Sequence, residues 1–111
     1  MDLKMYILVN EDIKIGKGKL AGQVGHAVAT YIYRKVMLGS DIDRFAKYMD
    51  NAQKKIILKC PQSKLEELES YGYIAIRDKG LTQLEPNTLT CVNYGLHDEQ
   101  VPDWIKELKL I

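Results

Sequence analysis

The chain has 111 residues, 46% hydrophobic and 28% charged, which excludes wholesale disorder and fits one globular domain spanning 1–111. Sixteen Lys and Arg against fifteen Asp and Glu leave a formal charge of +1. Bulk charge therefore cannot hold a polyanion, and any nucleic-acid contact must use a local patch.

That patch has a place to form. Within residues 1–40, Lys4, Lys14, Lys17, Lys19, Arg34 and Lys35 outnumber Asp2, Glu11 and Asp12, giving +3, while the remainder carries −2. Two cysteines, Cys60 and Cys91, make no disulfide framework. No basic and apolar leader opens the sequence, and no apolar run reaches membrane-spanning length. A reducing compartment, the cytoplasm, is the expected location. His26, His97, Cys60 and Cys91 lie far apart without zinc spacing, so neither a metal nor a cofactor is expected.

Lys4 to Asn10 (KMYILVN) has the β-rich apolar run of a central strand. After a polar segment punctuated by Gly16 and Gly18, nothing breaks a helix from Lys19 to about Leu38. Leu20, Val24, Ala27, Val28 and Tyr31 share its apolar face. Gly39-Ser40 ends it, and Ser40 or Asp41 can cap a short second helix through Phe45, Tyr48 and Met49.

Lys55 to Cys60 (KIILKC) predicts a second strand, stopped by Pro61. Ser63 and Glu66 stand in capping-box spacing at the start of a short helix that Gly72 closes. Tyr73 to Arg77 alternates as a third strand. A turn-rich loop leads to a fourth, Thr88 to Tyr94, with Thr90, Val92 and Tyr94 on one face and Leu89, Cys91 and Asn93 on the other. Val101 to Leu108 predicts a last helix, with Pro102 in its first turn and Trp104, Ile105 and Leu108 facing the core. His97 falls in a turn before it and is expected in solvent. The order β-α-α-β-α-β-β-α implies a sheet with helices on its faces, and the last two strands follow too closely for an all-parallel sheet.

Chemistry concentrates in two segments. In Lys14 to Thr30, a rotation of about 100° per residue puts Lys19, Gln23, His26 and Thr30 within an arc of roughly 60°. Gly22, Gly25 and Ala29 form a neighbouring stripe almost without side-chain bulk, which suggests close approach of the sheet. Gly16 and Gly18 allow outward-pointing amides at the helix start, beside Lys17 and Lys19, a favourable place for a phosphate. Neither a Walker A loop nor a dinucleotide fingerprint is matched.

The second segment, DKGLTQLEPNTLT from Asp78 to Thr90, places Asp78 directly after a strand, with Thr82 in the same loop and Thr90 on the next strand. One carboxylate with two hydroxyls can hold and polarise a water. A thiol enzyme pairing Cys91 with His26 has no local signature, and Cys91 in a strand is expected to be buried.

These two segments resemble the second structural class of peptidyl-tRNA hydrolases. That family shows a DLKMGKGKxAAQxxHA-like stretch and then a DAGxTQxxPGTxT-like stretch; this chain has DIKIGKGKLAGQVGHA from Asp12 to Ala27 and the loop quoted above. The resemblance implies a three-layer α/β/α sandwich on a four-stranded mixed β-sheet, often a homodimer. It implies hydrolysis of the ester joining peptide to tRNA, which recycles tRNA in translation.

By motif position the resemblance implies catalytic roles for Lys19, Asp78, Thr82 and Thr90. Lys14, Gly16, Lys17, Gly18, Gln23, His26 and Lys79 are implied as tRNA-binding or supporting residues. Lys79 and Leu81 depart from the DAGRTQ common in the family, Pro86-Asn87 stands where Pro-Gly is common, and CVNYGL follows the threonines. The expected mechanism is direct attack by water on peptidyl-tRNA. The alternative is a catalytically weakened or inactive RNA- or protein-binding module of the same fold.

Overall fold

A computed structural model describes residues 2–80 and 84–111. Its elements are β1 (Lys4–Asn10), α1 (Lys17–Tyr31), a π-helical stretch (Ile32–Met37), α2 (Ile42–Asp50), β2 (Lys55–Cys60), α3 (Gln62–Ser70), β3 (Ile74–Arg77), β4 (Leu89–His97) and α4 (Asp103–Lys106). The expected order therefore holds throughout.

The four strands form one mixed sheet in the order β2-β1-β4-β3. β1 runs parallel to β2 and antiparallel to β4, which in turn pairs antiparallel with β3. β1 is central and buried on both faces, as its unbroken apolar run predicts. One face carries Met5, Ile7, Val9, Ile74, Ile76 and Cys91 against Ala27 and Tyr31 of α1 and Tyr48 of α2. The other carries Tyr6, Leu8, Leu58, Leu89 and Val92 against Leu65 and Leu68 of α3 and Ile105 of α4. Helices thus cover both faces, completing the three layers. The chain's last residues pair with the outer edge of β2, where Ile111 N–H donates to the Ile57 carbonyl at 3.1 Å.

Two features orient α1. Its apolar face is the predicted one, with Ala27 and Tyr31 buried and Leu20, Val24 and Val28 packed on the same cluster. Two side chains of β4 then reach its backbone: Asn93 Nδ2 donates to the Ala27 carbonyl at 3.1 Å, and Cys91 Sγ lies 3.5 Å from that of Gln23. Gly22 and Gly25 do not meet the sheet. Both are exposed, with nothing within 4 Å of where a Cβ would stand, so the expected close approach is absent.

Several local expectations are revised. The single helix foreseen to Leu38 changes to π geometry after Tyr31, closing with Leu38 N–H on the Tyr33 carbonyl at 3.0 Å. Asp41 stands at the N-cap of α2, but its carboxylate accepts the Tyr31 hydroxyl instead of capping the helix. The Ser63–Glu66 box does not cap α3. The helix starts at Gln62, whose N–H donates to Asp12 Oδ2 at 2.8 Å, a cap supplied from the segment that follows β1. Gly72, at φ +93°, closes α3 as predicted. α4 is only four residues long, and Pro102 stands just before it rather than in its first turn. His97 ends β4 and is half-buried, edge-on to Tyr6 and 4.9 Å from the Tyr94 ring centroid, not free in solvent.

The alternation of β4 is interrupted where it matters for the site. Ile76 pairs with Cys91 but Arg77 with Leu89, so Thr90 is the extra residue of a β-bulge. The bulge turns Thr90 to the α1 face beside Cys91 and sends Leu89 to the opposite core with Val92. A strict two-residue period predicts the reverse.

Candidate active site

The start of α1 and the end of β3 meet at one side of the sheet. Lys19, in the first turn of α1, points across to Asp78, which directly follows β3; Nζ and Oδ1 are 2.6 Å apart. Asp78 is 5% exposed and Lys19 17%, so the pair is shielded but reachable. The second carboxylate oxygen accepts the Gly80 N–H at 2.9 Å. The Lys19 ammonium, followed by the amides of Gly80 and Lys79, holds the Asp78 carboxyl below the usual carboxylate range, although burial acts in the opposite direction.

The loop after β3 is built to hold Asp78 in place. Asp78 N–H donates to the Thr88 carbonyl at 2.9 Å, and Asn87 N–H donates back to the Asp78 carbonyl at 2.6 Å, closing the loop at its base. Arg77 secures the same base from outside, with Nη1 on the Asn87 carbonyl at 2.6 Å and Nε and Nη2 on the Glu69 carboxylate at 3.0 and 2.7 Å. Gly80 sits at φ +74°, and a Cβ there would lie 2.7 Å from Pro86 Cγ and 2.8 Å from its backbone. Only glycine fits that turn while giving its N–H to Asp78.

Beneath the pair lies a buried polar contact. Thr90 Oγ1 is 2.8 Å from Gln23 Oε1 and 2.9 Å from the Ile76 carbonyl oxygen. Its single proton can serve only one acceptor at a time. Both contacts are satisfied together when Thr90 donates to Ile76 and the Gln23 amide turns its nitrogen toward the hydroxyl. Thr90 is fully buried, so it holds Gln23 and does not open to the cleft.

Lys19, Gln23, His26 and Thr30 of α1 line one wall of an open cleft of about 640 Å³, with Ile76, Arg77, Asp78 and Lys79 on the other. The polar helical stripe and the acidic loop are thus brought together. Lys14, Gly16, Lys17 and Gly18 are exposed in the loop and helix start that lead into it. Gly16 is the N-cap of α1 without a side-chain cap, and the first turn has no acidic residue. Leu20 N–H is taken by the Gly16 carbonyl, leaving those of Lys17, Gly18 and Lys19 without acceptors inside the helix. Thr82 lies outside the described residues. Arg77 was not foreseen as part of this wall; its one signal is adjacency to Asp78.

A cysteine nucleophile is excluded on geometry. Cys91 is fully buried, burial pushes its thiol up to about 11, and His26 stands exposed in the cleft.

The model of the family described as Peptidyl-tRNA hydrolase PTH2 matches residues 3–111. A protein of Thermoplasma acidophilum named peptidyl-tRNA hydrolase is 36% identical over 111 residues, covering 92% of each chain. One of the same name from Saccharolobus islandicus is 36% identical over 121 residues, covering 98% of this chain and 99% of its own. A third, from Thermoplasma volcanium, is 36% identical over 104 residues and 86% of each. With a family match along nearly its whole length and the motif lysine and aspartate joined in one cleft, the chain belongs to the PTH2 family of peptidyl-tRNA hydrolases.

Proposed function

We propose that this chain, acting as one 111-residue unit, hydrolyses the ester between peptide and tRNA by direct attack of water. The observation that carries this reading is the 2.6 Å contact between Lys19 and Asp78 in an open cleft, within a chain of this family. A carboxylate held this firmly ionised is a weak base, so Asp78 acts chiefly by orienting water toward the ester carbonyl. As the water oxygen bonds to carbon, the Lys19 ammonium faces the developing oxyanion and stabilises it. Collapse of the tetrahedral intermediate breaks the bond to the ribose oxygen. That oxygen leaves with one proton of the attacking water, the other proton is released to solvent, and the peptide departs as a carboxylate.

The other residues support this centre. Thr90 is a positioning residue that fixes Gln23 beside Lys19, and Thr82 is assigned a neighbouring hydrogen bond by its motif position alone. His26 and Lys79 line the approach. Lys14 and Lys17, with the amides around Gly16 and Gly18, provide a cationic entrance for tRNA phosphates. An inactive binding module of the same fold gains no support from a site whose lysine and aspartate are both present and paired.

The decisive experiment compares hydrolysis of an N-blocked aminoacyl-tRNA with binding of uncharged tRNA. Turnover that Lys19→Ala and Asp78→Asn each lower by at least about 100-fold is expected; binding without turnover would replace the enzyme by the module. A translation-linked role supports a cytoplasmic location, and no described helix is long and apolar enough to cross a membrane. A homodimer is supported by the exposed Met37, Leu38 and Ile42 around the start of α2, and sedimentation would test it.

A further inference from the structure

We propose that a second cavity, at the other end of the α1–β3 groove, is a subsite for the single-stranded 3′ end of the tRNA. This rests on the hydrolase reading above and extends its site. The cavity measures about 730 Å³ and lies between Tyr31 to Arg44 on one side and Tyr71 to Ile74 on the other, floored by β4. It adjoins the catalytic cleft along the chain, sharing no lining residue with it. On the helical wall the cleft ends at Thr30 and the cavity begins at Tyr31; on the strand wall they meet at Ile74 and Ala75.

The two walls have different chemistry. Arg34 and Lys35, on the π-helical stretch, are exposed and make no ion pair among the described residues. The cavity's carboxylate, Asp41, is already engaged by the Tyr31 hydroxyl and lies 3.8 Å from Arg44, so it does not neutralise them. Opposite stand Tyr71, 71% exposed, and Tyr73, 36% exposed. Tyr73 is stacked on Tyr94 at 5.0 Å and 6°, which fixes its ring plane. Unpaired cations and partly exposed aromatic rings lining one cavity are the components that bind phosphates and unpaired bases together.

Length supports a strand over a single nucleotide. From Asp78 back to Tyr73 the β3 wall covers about 16 Å at roughly 3.3 Å per residue, and Lys19 to Arg34 covers about 22 Å at helical rise. The terminal ribose, whose ester is cleaved at Lys19 and Asp78, leads the preceding nucleotides along β3. Their bases meet Tyr73 and Tyr71 while Arg34 and Lys35 hold the phosphates.

The test measures binding of a short single-stranded oligonucleotide with the tRNA 3′ sequence, a duplex of equal length, and uncharged tRNA. Wild type is compared with Arg34→Ala/Lys35→Ala, Tyr71→Ala and the remote control Lys106→Ala, each checked by circular dichroism. Single-strand binding should fall about tenfold in Tyr71→Ala. The double variant should lower the log–log salt slope by about 0.7 for each lost contact. KM for N-blocked aminoacyl-tRNA should rise with a much smaller change in kcat. Folded variants that bind the oligonucleotide like wild type, or a Lys106→Ala loss of equal size, would overturn the subsite. So would preference for the duplex, or a KM effect that appears only as the acyl group lengthens from one residue to a peptide, which would assign the groove to peptide. If wild type binds through these residues yet hydrolyses nothing, the subsite stands and the hydrolase reading fails.

Discussion

Lys19 Nζ lies 2.6 Å from Asp78 Oδ1, so the first turn of α1 and the loop after β3 share one charge pair at the mouth of the cleft. In the proposed mechanism the contact serves substrate chemistry more than folding, because α1 already fixes the Lys19 backbone and the hydrogen bonds to Thr88 and Asn87 fix that of Asp78. Lys19→Ala should therefore keep the fold, read by circular dichroism, while turnover of N-blocked aminoacyl-tRNA falls roughly 100- to 1,000-fold. A Lys19→Ala protein with normal turnover would remove lysine from the mechanism.

The depressed Asp78 pKa has a definite sign for pH dependence. Because the carboxyl is held below its ordinary value of 3.8, the pair stabilises the folded state fully above that value, and this contribution fades as pH falls through the lower folded-state value. Activity should share this limit, with Asp78 ionised across the neutral range and its acid limb set below 3.8. Asp78→Asn should lose roughly 100- to 10,000-fold in turnover and flatten the acid part of the stability profile. Urea midpoints measured down through the acid range would check the second outcome.

Thr90 tests whether the buried layer beneath the pair matters. Thr90→Val keeps the shape but removes the hydroxyl, leaving Gln23 and the Ile76 carbonyl without their buried partner, a cost of about 1–3 kcal/mol. The same change should lower kcat by loosening Gln23 beside Lys19, with KM affected less. Thr90→Ser should restore both quantities in large part. Recovery of stability without recovery of kcat would reduce Thr90 to a core residue.

The strands, their order along the chain and the helical faces were legible because each rests on local periodicity. The polar stripe Lys19, Gln23, His26 and Thr30 was legible for the same reason, and all four residues line the cleft. Pairing Lys19 with Asp78 required the family resemblance, since no local pattern reports which strand end approaches which helix. The bulge at Thr90 was hidden because alternation assumes an uninterrupted ladder, and the long-range cap of α3 by Asp12 because capping signals are sought within one turn. The glycine stripe was misread despite an available signal: at 100° per residue its midpoint lies roughly 150° from the apolar face of α1, which points it to solvent.

Two glycines should respond in opposite directions to alanine. At Gly25 the Cβ would enter open space in the middle of α1, so Gly25→Ala gains helix propensity and should stabilise by about 0.5–1 kcal/mol. At Gly80 the backbone is left-handed at φ +74° and a Cβ would press on Pro86, so Gly80→Ala must shift the turn. The N–H that Gly80 gives to Asp78 then moves, and turnover should fall more than thermal stability, because the strain is confined to a loop whose base is held by Arg77, Asn87 and Thr88. Melting temperatures and single-turnover rates for the two variants would separate these effects. A Gly80→Ala enzyme as fast as wild type would mean that the Gly80 amide has no part in placing the carboxylate.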